Sequence, residues 1–346
     1  MFKNLSIYRI DPQWRDDLST MEADFQKAQF TECGSTQQKS QGWVSPRGER
    51  HGALVESVGG QRLVKLMTEQ RVLPGSVVKK RIDEIAAHIE KTTGRKPGKK
   101  QTKEIKEQAT LELLPMAFTK QSSTLVWIDP VHHGLMIDAS SQSKADEIAS
   151  LLVKTLDGRI AVSSLQTAQS PTVCMAEWLT SGEPPAAFSV DRECELKSHD
   201  EMKSVVRYAR HRLDTDEVRQ HIVTGKVPTK LALTWNGRVS FMLTDNWQVK
   251  KLAFLDVVFE SHKASSKGDK GESFDADAAI ATGELIKLIP DLIDALGGEQ
   301  DPSSPAVTPV ADTGTPRASA DLAAKKALAL AAALATAGED SPPWDA

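Results

Sequence analysis

The stretch Trp127 to Asp138, WIDPVHHGLMID, gathers Asp129, His132, His133 and Asp138, residue types that ligate divalent metals. His132 and His133 are neighbours, however, and adjacent residues of an extended chain point to opposite faces, so they are not expected to share one ion. Gly225-Lys226 resembles the end of a phosphate-binding loop, but that loop requires Gly where Gln220 stands and Ser or Thr where Val227 stands. Asp214, Asp216 and Glu217 suit a helix N-terminus, where carboxylates meet unpaired backbone N–H groups, better than a catalytic site. Neither G-x-S-x-G nor H-E-x-x-H occurs. Cys33, Cys174 and Cys194 are odd in number and widely spaced, which reads as buried reduced thiols rather than a disulfide frame or zinc site. No enzyme, metal or cofactor is expected.

Basic charge is the chemistry that remains. Lys and Arg number 43 against 47 Asp and Glu, a net charge of −4 in 346 residues. The average hides two opposed regions. From Glu299 onward there are seven acidic and three basic residues, whereas Gln61 to Thr110 holds thirteen Lys and Arg against six Asp and Glu. A local surplus of that size can hold a polyanion on an acidic chain, although charge runs also arise as plain solvated faces. The candidate phosphate contacts here are Arg71, Lys79, Lys80, Arg81, Arg95, Lys96, Lys99 and Lys100, with Lys120 beyond them. A second group, Arg207, Arg210 and Arg212, lies in SVVRYARHRL, where strand alternation would put Tyr208, Arg210 and Arg212 on one face. Phe118, between Met116 and Lys120, is either core or an exposed anchor. With no recognition helix, zinc finger or RNA-reading aromatic pair in view, binding would go mainly to phosphates and depend weakly on sequence.

The elements that would position these residues can be read from periodicity. FKNLSIYRI alternates like a strand, and a helix from Asp11-Pro12 to about Phe30 should follow, then a Gly, Ser and Gln-rich loop. QRLVKLMTEQRVLP reads as a strand stopped by Pro74-Gly75. Val77–Lys91 and Lys99–Leu114 have helical spacing around the turn TGRKPGKK, a helical hairpin. STLVWID and HGLMIDAS are strands, Ser143 and Asp146 look like a capping box for the next helix, and RIAVSSL is a further strand. DTDEVRQHIVTG is a short helix closed by Gly225, and KLALTW-NG-RVSFML-TDN-WQVKKLAFL is a three-strand meander with a type I′ turn at Asn236-Gly237. Asp275 to Leu296 is a helix that Pro290 should bend or divide. The Pro, Ser and Thr-rich stretch beyond it is expected to be disordered, and the Ala-rich run a marginal helix outside the core.

FKNLSIYRI, TECGS with GWVSPRG, RVLPGSVVKKRIDE, ELLPMAF, STLVWID, AEWLTSGEPP, HIVTGKVPTKLALTWNGRVSFMLTD and FDADAAIATGELIKLIPDLIDALGGE resemble, in order, the bacterial recombination-associated protein RdgC family. The resemblance runs from about Met1 to Gln300. It implies a homodimer closed into a ring by two contacts per subunit, whose basic hole surrounds duplex DNA without marked sequence preference and which restrains the recombinase RecA. Single-stranded DNA is a further candidate ligand. The family's finger falls on about Leu73 to Pro115 and its aromatic contact on Phe118, while Met116 stands where the family carries Arg.

The expected fold is α+β, with antiparallel or mixed sheets flanked by helices, a projecting helical finger, and subunits forming a ring-shaped homodimer. The expected division is a central α/β region (1–72 and 118–180), the finger (73–117), a base with the meander (181–298) and a disordered acidic tail (299–346). No apolar run is long enough for a membrane span, and the expected location is the cytoplasm, on the nucleoid. A rival reading makes the chain a protein-interaction regulator that acts through its acidic tail, with DNA incidental.

Overall fold

Strand pairing between alternating apolar segments organises most of the chain. The computed structural model describes residues 1–15, 17–198, 200, 202–260 and 270–300. In chain order these form β1 (Leu5–Ile10), α1 (Leu18–Lys27), β2 (Lys39–Val44), β3 (Val55–Val58), β4 (Gln61–Val72), α2 (Gly75–Thr93) and α3 (Lys99–Leu113). Next come β5 (Phe118–Asp129), β6 (Gly134–Ile137), α4 (Gln142–Thr155), β7 (Val162–Ser164), α5 (Pro171–Ser181), β8 (Phe188–Ser198) and β9 (Val205–Ala209). The remainder is α6 (Asp216–Val223), β10 (Lys226–Trp235), β11 (Val239–Thr244), β12 (Gln248–Phe254), α7 (Asp256–Glu260) and α8 (Lys270–Ala295). The fold is α+β, built on antiparallel strand pairing.

Two compact units share the chain, one made of Asp11–His132 with Ile148–Ala161, the other of Met1–Ile10, His133–Glu147 and the described residues from Val162 onward. In the first, β4 lies between β2 and β5, with β3 alongside its N-terminal end. Its core is aromatic: Trp43 is wholly buried, packs on Phe25 with ring centroids 4.6 Å apart and planes tilted by 46°, and donates from Nε1 to Thr155 Oγ1 at 2.8 Å. Buried Trp127 likewise donates to Gln61 Oε1 at 2.7 Å, so both large rings satisfy their polar atom. In the second unit the strand order is β6-β1-β12-β11-β10-β8-β9, with β7 on the end of β1. The meander occurs as expected, with Asn236 and Gly237 at φ of 47° and 63°, the two left-handed residues of a type I′ turn.

Several local expectations are corrected. Asp11 caps only a turn, accepting from the Gln13 N–H, and the helix starts later because Asp17 accepts from the Thr20 N–H at 2.7 Å. The Gly, Ser and Gln-rich loop contains β2 and β3, recruited by pairing with β4. Ser143 and Asp146 form no capping box: α4 already begins at Gln142, and the Asp146 carboxylate is taken by the Tyr8 hydroxyl at 2.7 Å and the Gln142 amide at 2.9 Å. Pro290 does not divide α8. It occupies an exposed position, while Leu288, Ile289, Leu292 and Ile293 are buried around it and hold one continuous helix. Cys174 and Cys194 are buried free thiols and Cys33 is half-buried. Among the described residues no helix is long and apolar enough to cross a membrane. The expected Pro-rich and Ala-rich segments lie outside the described residues.

Candidate nucleic-acid interface

The helical hairpin is held by a narrow seam. Val78, Ile82, Ile85, Ala86 and Ile89 recur at helical spacing along α2 and are only half-buried; no residue of α2 is fully buried. On α3, only Ile105 and Ala109 are buried. Gly94 ends α2 in the left-handed region at φ 72°, donating to the Glu90 carbonyl at 2.9 Å, and Gly98 opens α3 without a side-chain cap. The chain thus reverses at TGRKPG.

That reversal concentrates charge. Residues 91–103 hold Lys91, Arg95, Lys96, Lys99, Lys100 and Lys103 and no acidic residue. All six are exposed, and none has an ion pair among the described residues. The uncapped N–H groups at the start of α3 add their partial positive charge at the same place. Sequence reasoning chose Arg95, Lys96, Lys99 and Lys100 as contacts but passed over Lys91 and Lys103. The acid-free window from 91 to 103 was the signal for them.

Lys79 and Lys80 are exposed and unpaired among the described residues, about 20 Å along α2 from the turn at 1.5 Å per residue. Arg81 is engaged, bonding Glu112 at 2.8 Å across the hairpin and Glu84 at 3.2 Å. These partners push its guanidinium pKa up and hold the Glu112 carboxyl below its usual range. Arg71 is also engaged, donating to the carbonyls of Gly34, Leu114 and Ala117 at 3.2 Å and of Cys33 at 3.3 Å. It fastens the return from α3 to β5 rather than offering a free guanidinium. Lys120 is exposed on β5, paired in register with Gln70.

Phe118 starts β5 opposite Val72 and is 89% exposed, so it is no core residue. Met116 is 74% exposed, and Val72, Val77 and Leu111 are exposed as well, giving the hairpin base several uncovered apolar side chains. The first six residues of β5, Phe118–Ser123, are all exposed because FTKQSS alternates nothing apolar toward a core.

The second basic group lies in the other unit, and the expected shared face is not formed. β9 ends at Ala209, Tyr208 is buried, and Arg210 sits in the left-handed region at φ 57°, which breaks the alternation. Burial and the hydrogen bond to Glu217 at 3.0 Å push the Tyr208 hydroxyl up to about 12. Arg207 bonds Glu195 at 2.7 Å and Arg212 bonds Asp214 at 2.6 Å, while Arg210 is exposed and without an ion pair among the described residues. Glu195 also receives Lys230 and Thr229, each at 3.0 Å. Burial opposes its ionisation, but these donors outweigh that and hold it at about 2.

The histidine cluster resolves into a turn. Asp129 accepts the N–H groups of Val131 and His132 and lies 2.7 Å from His132 Nδ1. Among the described residues no group of three or more His, Cys, Asp or Glu could hold a metal ion.

Residues 1–299 match the family described as "Putative exonuclease, RdgC". The chain is also similar to proteins named "Recombination-associated protein RdgC". It is 45% identical over 301 residues to that of Dechloromonas aromatica strain RCB, covering 86% of this chain and 98% of the relative. Identity is 45% over 298 residues with that of Janthinobacterium sp. strain Marseille, at 86% and 98% coverage. With that of Cupriavidus necator it is 46% over 299 residues, at 86% and 99%.

Proposed function

Since the chain belongs to the RdgC family of recombination-associated proteins, we propose that it acts in recombination as a DNA-binding protein that clamps phosphates with little regard to sequence. The observation that carries this reading is the exposed, acid-free run of six cations at the hairpin turn. Lys79, Lys80 and Lys120 are further exposed cations of the same unit and Arg210 is an exposed cation of the other; Arg81, Arg207 and Arg212 are held by carboxylates and would contact phosphate only by exchanging partners. Long flexible side chains without base-reading neighbours make phosphate oxygens the natural ligand, and such binding is strongly salt-dependent.

The finer reading is a homodimer closed into a ring around duplex DNA, limiting access of the recombinase RecA on the nucleoid. Phe118 supports it as a self-complementary anchor, because exposed aromatic residues at a two-fold contact bury large apolar area against their symmetry mates. Gel filtration of the parent and Phe118→Ser tests the dimer: the variant should elute smaller with its fold intact, and unchanged elution contradicts the assignment.

The family description also speaks of an exonuclease. Binding without cleavage is the reading we favour, since Glu112, Glu195 and Asp214 are engaged in ion pairs, Asp17 caps α1, and no group of three or more potential metal ligands occurs among the described residues. An end-labelled duplex incubated with the protein and Mg²⁺ or Mn²⁺ should stay full length; progressive shortening would replace this reading with the nuclease.

A further inference from the structure

The family match ends at residue 299, and the relatives above are covered over 98% or 99% of their own lengths but 86% of this chain. Residues 301–346 are thus an addition relative to those proteins. They hold Asp301, Asp312, Asp321, Glu339, Asp340 and Asp345 against Arg317, Lys325 and Lys326, and their last nine residues, GEDSPPWDA, combine three acids with Trp344 and no base.

The point from which this segment departs is tied down. The Glu299 carboxylate receives Arg9 Nε at 2.7 Å and Nη2 at 2.6 Å, Thr167 and Glu299 form an isolated antiparallel bridge, and Gln300 N donates to the Gln166 carbonyl at 3.0 Å. The finger has the complementary composition: six cations in 91–103 without an ion pair among the described residues, with exposed Val77, Leu111, Met116 and Phe118 toward its base. Forty-six residues can reach at most about 150 Å. α2 itself is about 28 Å long.

We propose that residues 301–346 dock on the finger of their own chain at the basic stretch 91–103, so that tail and DNA compete for the same cations. The competition rests on the DNA-binding reading above; the docking does not. Each exposed ion pair is worth little, but tethering gives the acids an effective concentration near millimolar, enough for several weak pairs to occupy the site together. Docking of this kind is screened by salt over about 10 Å at 0.1 M, so it acts most at low ionic strength. Duplex DNA, with denser charge, displaces the tail, while weaker polyanions are refused.

Two measurements on the full chain test this. The first variant carries Asp301→Asn, Asp312→Asn, Asp321→Asn, Glu339→Gln, Asp340→Asn and Asp345→Asn together. It should bind a 40-base-pair duplex about 3- to 10-fold more tightly than the parent at 50 mM NaCl, with the gap closing as salt screens both partners. Equal affinity of two DNA-binding proteins would overturn the competition. The second measurement replaces Trp344 with a photo-cross-linking residue in the otherwise unaltered chain, with no DNA present. Cross-links should map to residues 75–118; cross-links elsewhere in the body, or none, would overturn the docking. If neither protein binds DNA, the DNA-binding reading fails while the cross-link map still decides where the tail sits.

Discussion

The hairpin and the meander use their residues in opposite ways. Across nineteen residues α2 buries none fully, while β11 buries five of its six. In the meander the buried side chains alternate into a core shared by paired strands, and in the finger most side chains are exposed or only half-buried. Stability resides in the sheets, which leaves the finger's sequence free to carry charge. The contrast predicts that substitutions will separate cleanly: those in the sheets should change melting and those in the finger should change binding.

The largest effect is expected from Trp43→Ala. Removing a wholly buried indole that packs on Phe25 and bonds Thr155 should destabilise the fold by about 3–5 kcal/mol, read by chemical denaturation. A cost below about 1 kcal/mol would erase the contrast from the sheet side. Next, Phe118→Ser should cost the fold almost nothing yet weaken self-association by about 2 kcal/mol, the scale of an interfacial hot spot. Lys99→Ala with Lys100→Ala should leave the melting temperature unchanged, lower affinity for all duplex sequences alike, and reduce the salt slope by about one per lost phosphate contact. Arg210→Ala with Arg212→Ala should behave likewise, with Arg210 dominating because Arg212 is already held by Asp214.

Acid stability sharpens the same division. Glu195 is held below its unfolded value of 4.5, at about 2, by Arg207, Lys230 and Thr229. Its contribution is therefore complete above about pH 4.5 and is lost as pH falls toward 2. Glu195→Gln should accordingly narrow its melting-temperature gap to the parent between pH 5 and pH 2; a constant gap would assign the effect to packing. Smallest of all, Arg81→Ala should leave the melting temperature almost unchanged, since its pairs with Glu112 and Glu84 are exposed and screened by solvent.

The sequence carried the parts of this molecule that are governed by local chemistry. Asn236-Gly237 demanded a type I′ turn, and Gly94 and Gly98 bracketed the hairpin reversal. What escaped was decided by tertiary partners. β2 has the composition of a loop and becomes a strand because β4 offers it a free edge, and Asp146 leaves its expected cap because Tyr8 lies within reach. The basic candidates rest on charge and on strand alternation, and neither reveals a partner. Arg71, Arg81, Arg207 and Arg212 all have carbonyl or carboxylate partners supplied by other segments, or by a neighbour two or three residues away, while the Lys99 and Lys100 ammonium groups have none among the described residues.

A salt titration of DNA binding with two unrelated duplex sequences tests the central claim most directly. With about six phosphates neutralised by the exposed cations, affinity for both duplexes should fall together by roughly 10³-fold between 50 and 200 mM salt. A flat salt response, or one duplex bound orders of magnitude more tightly than the other, would contradict a phosphate clamp.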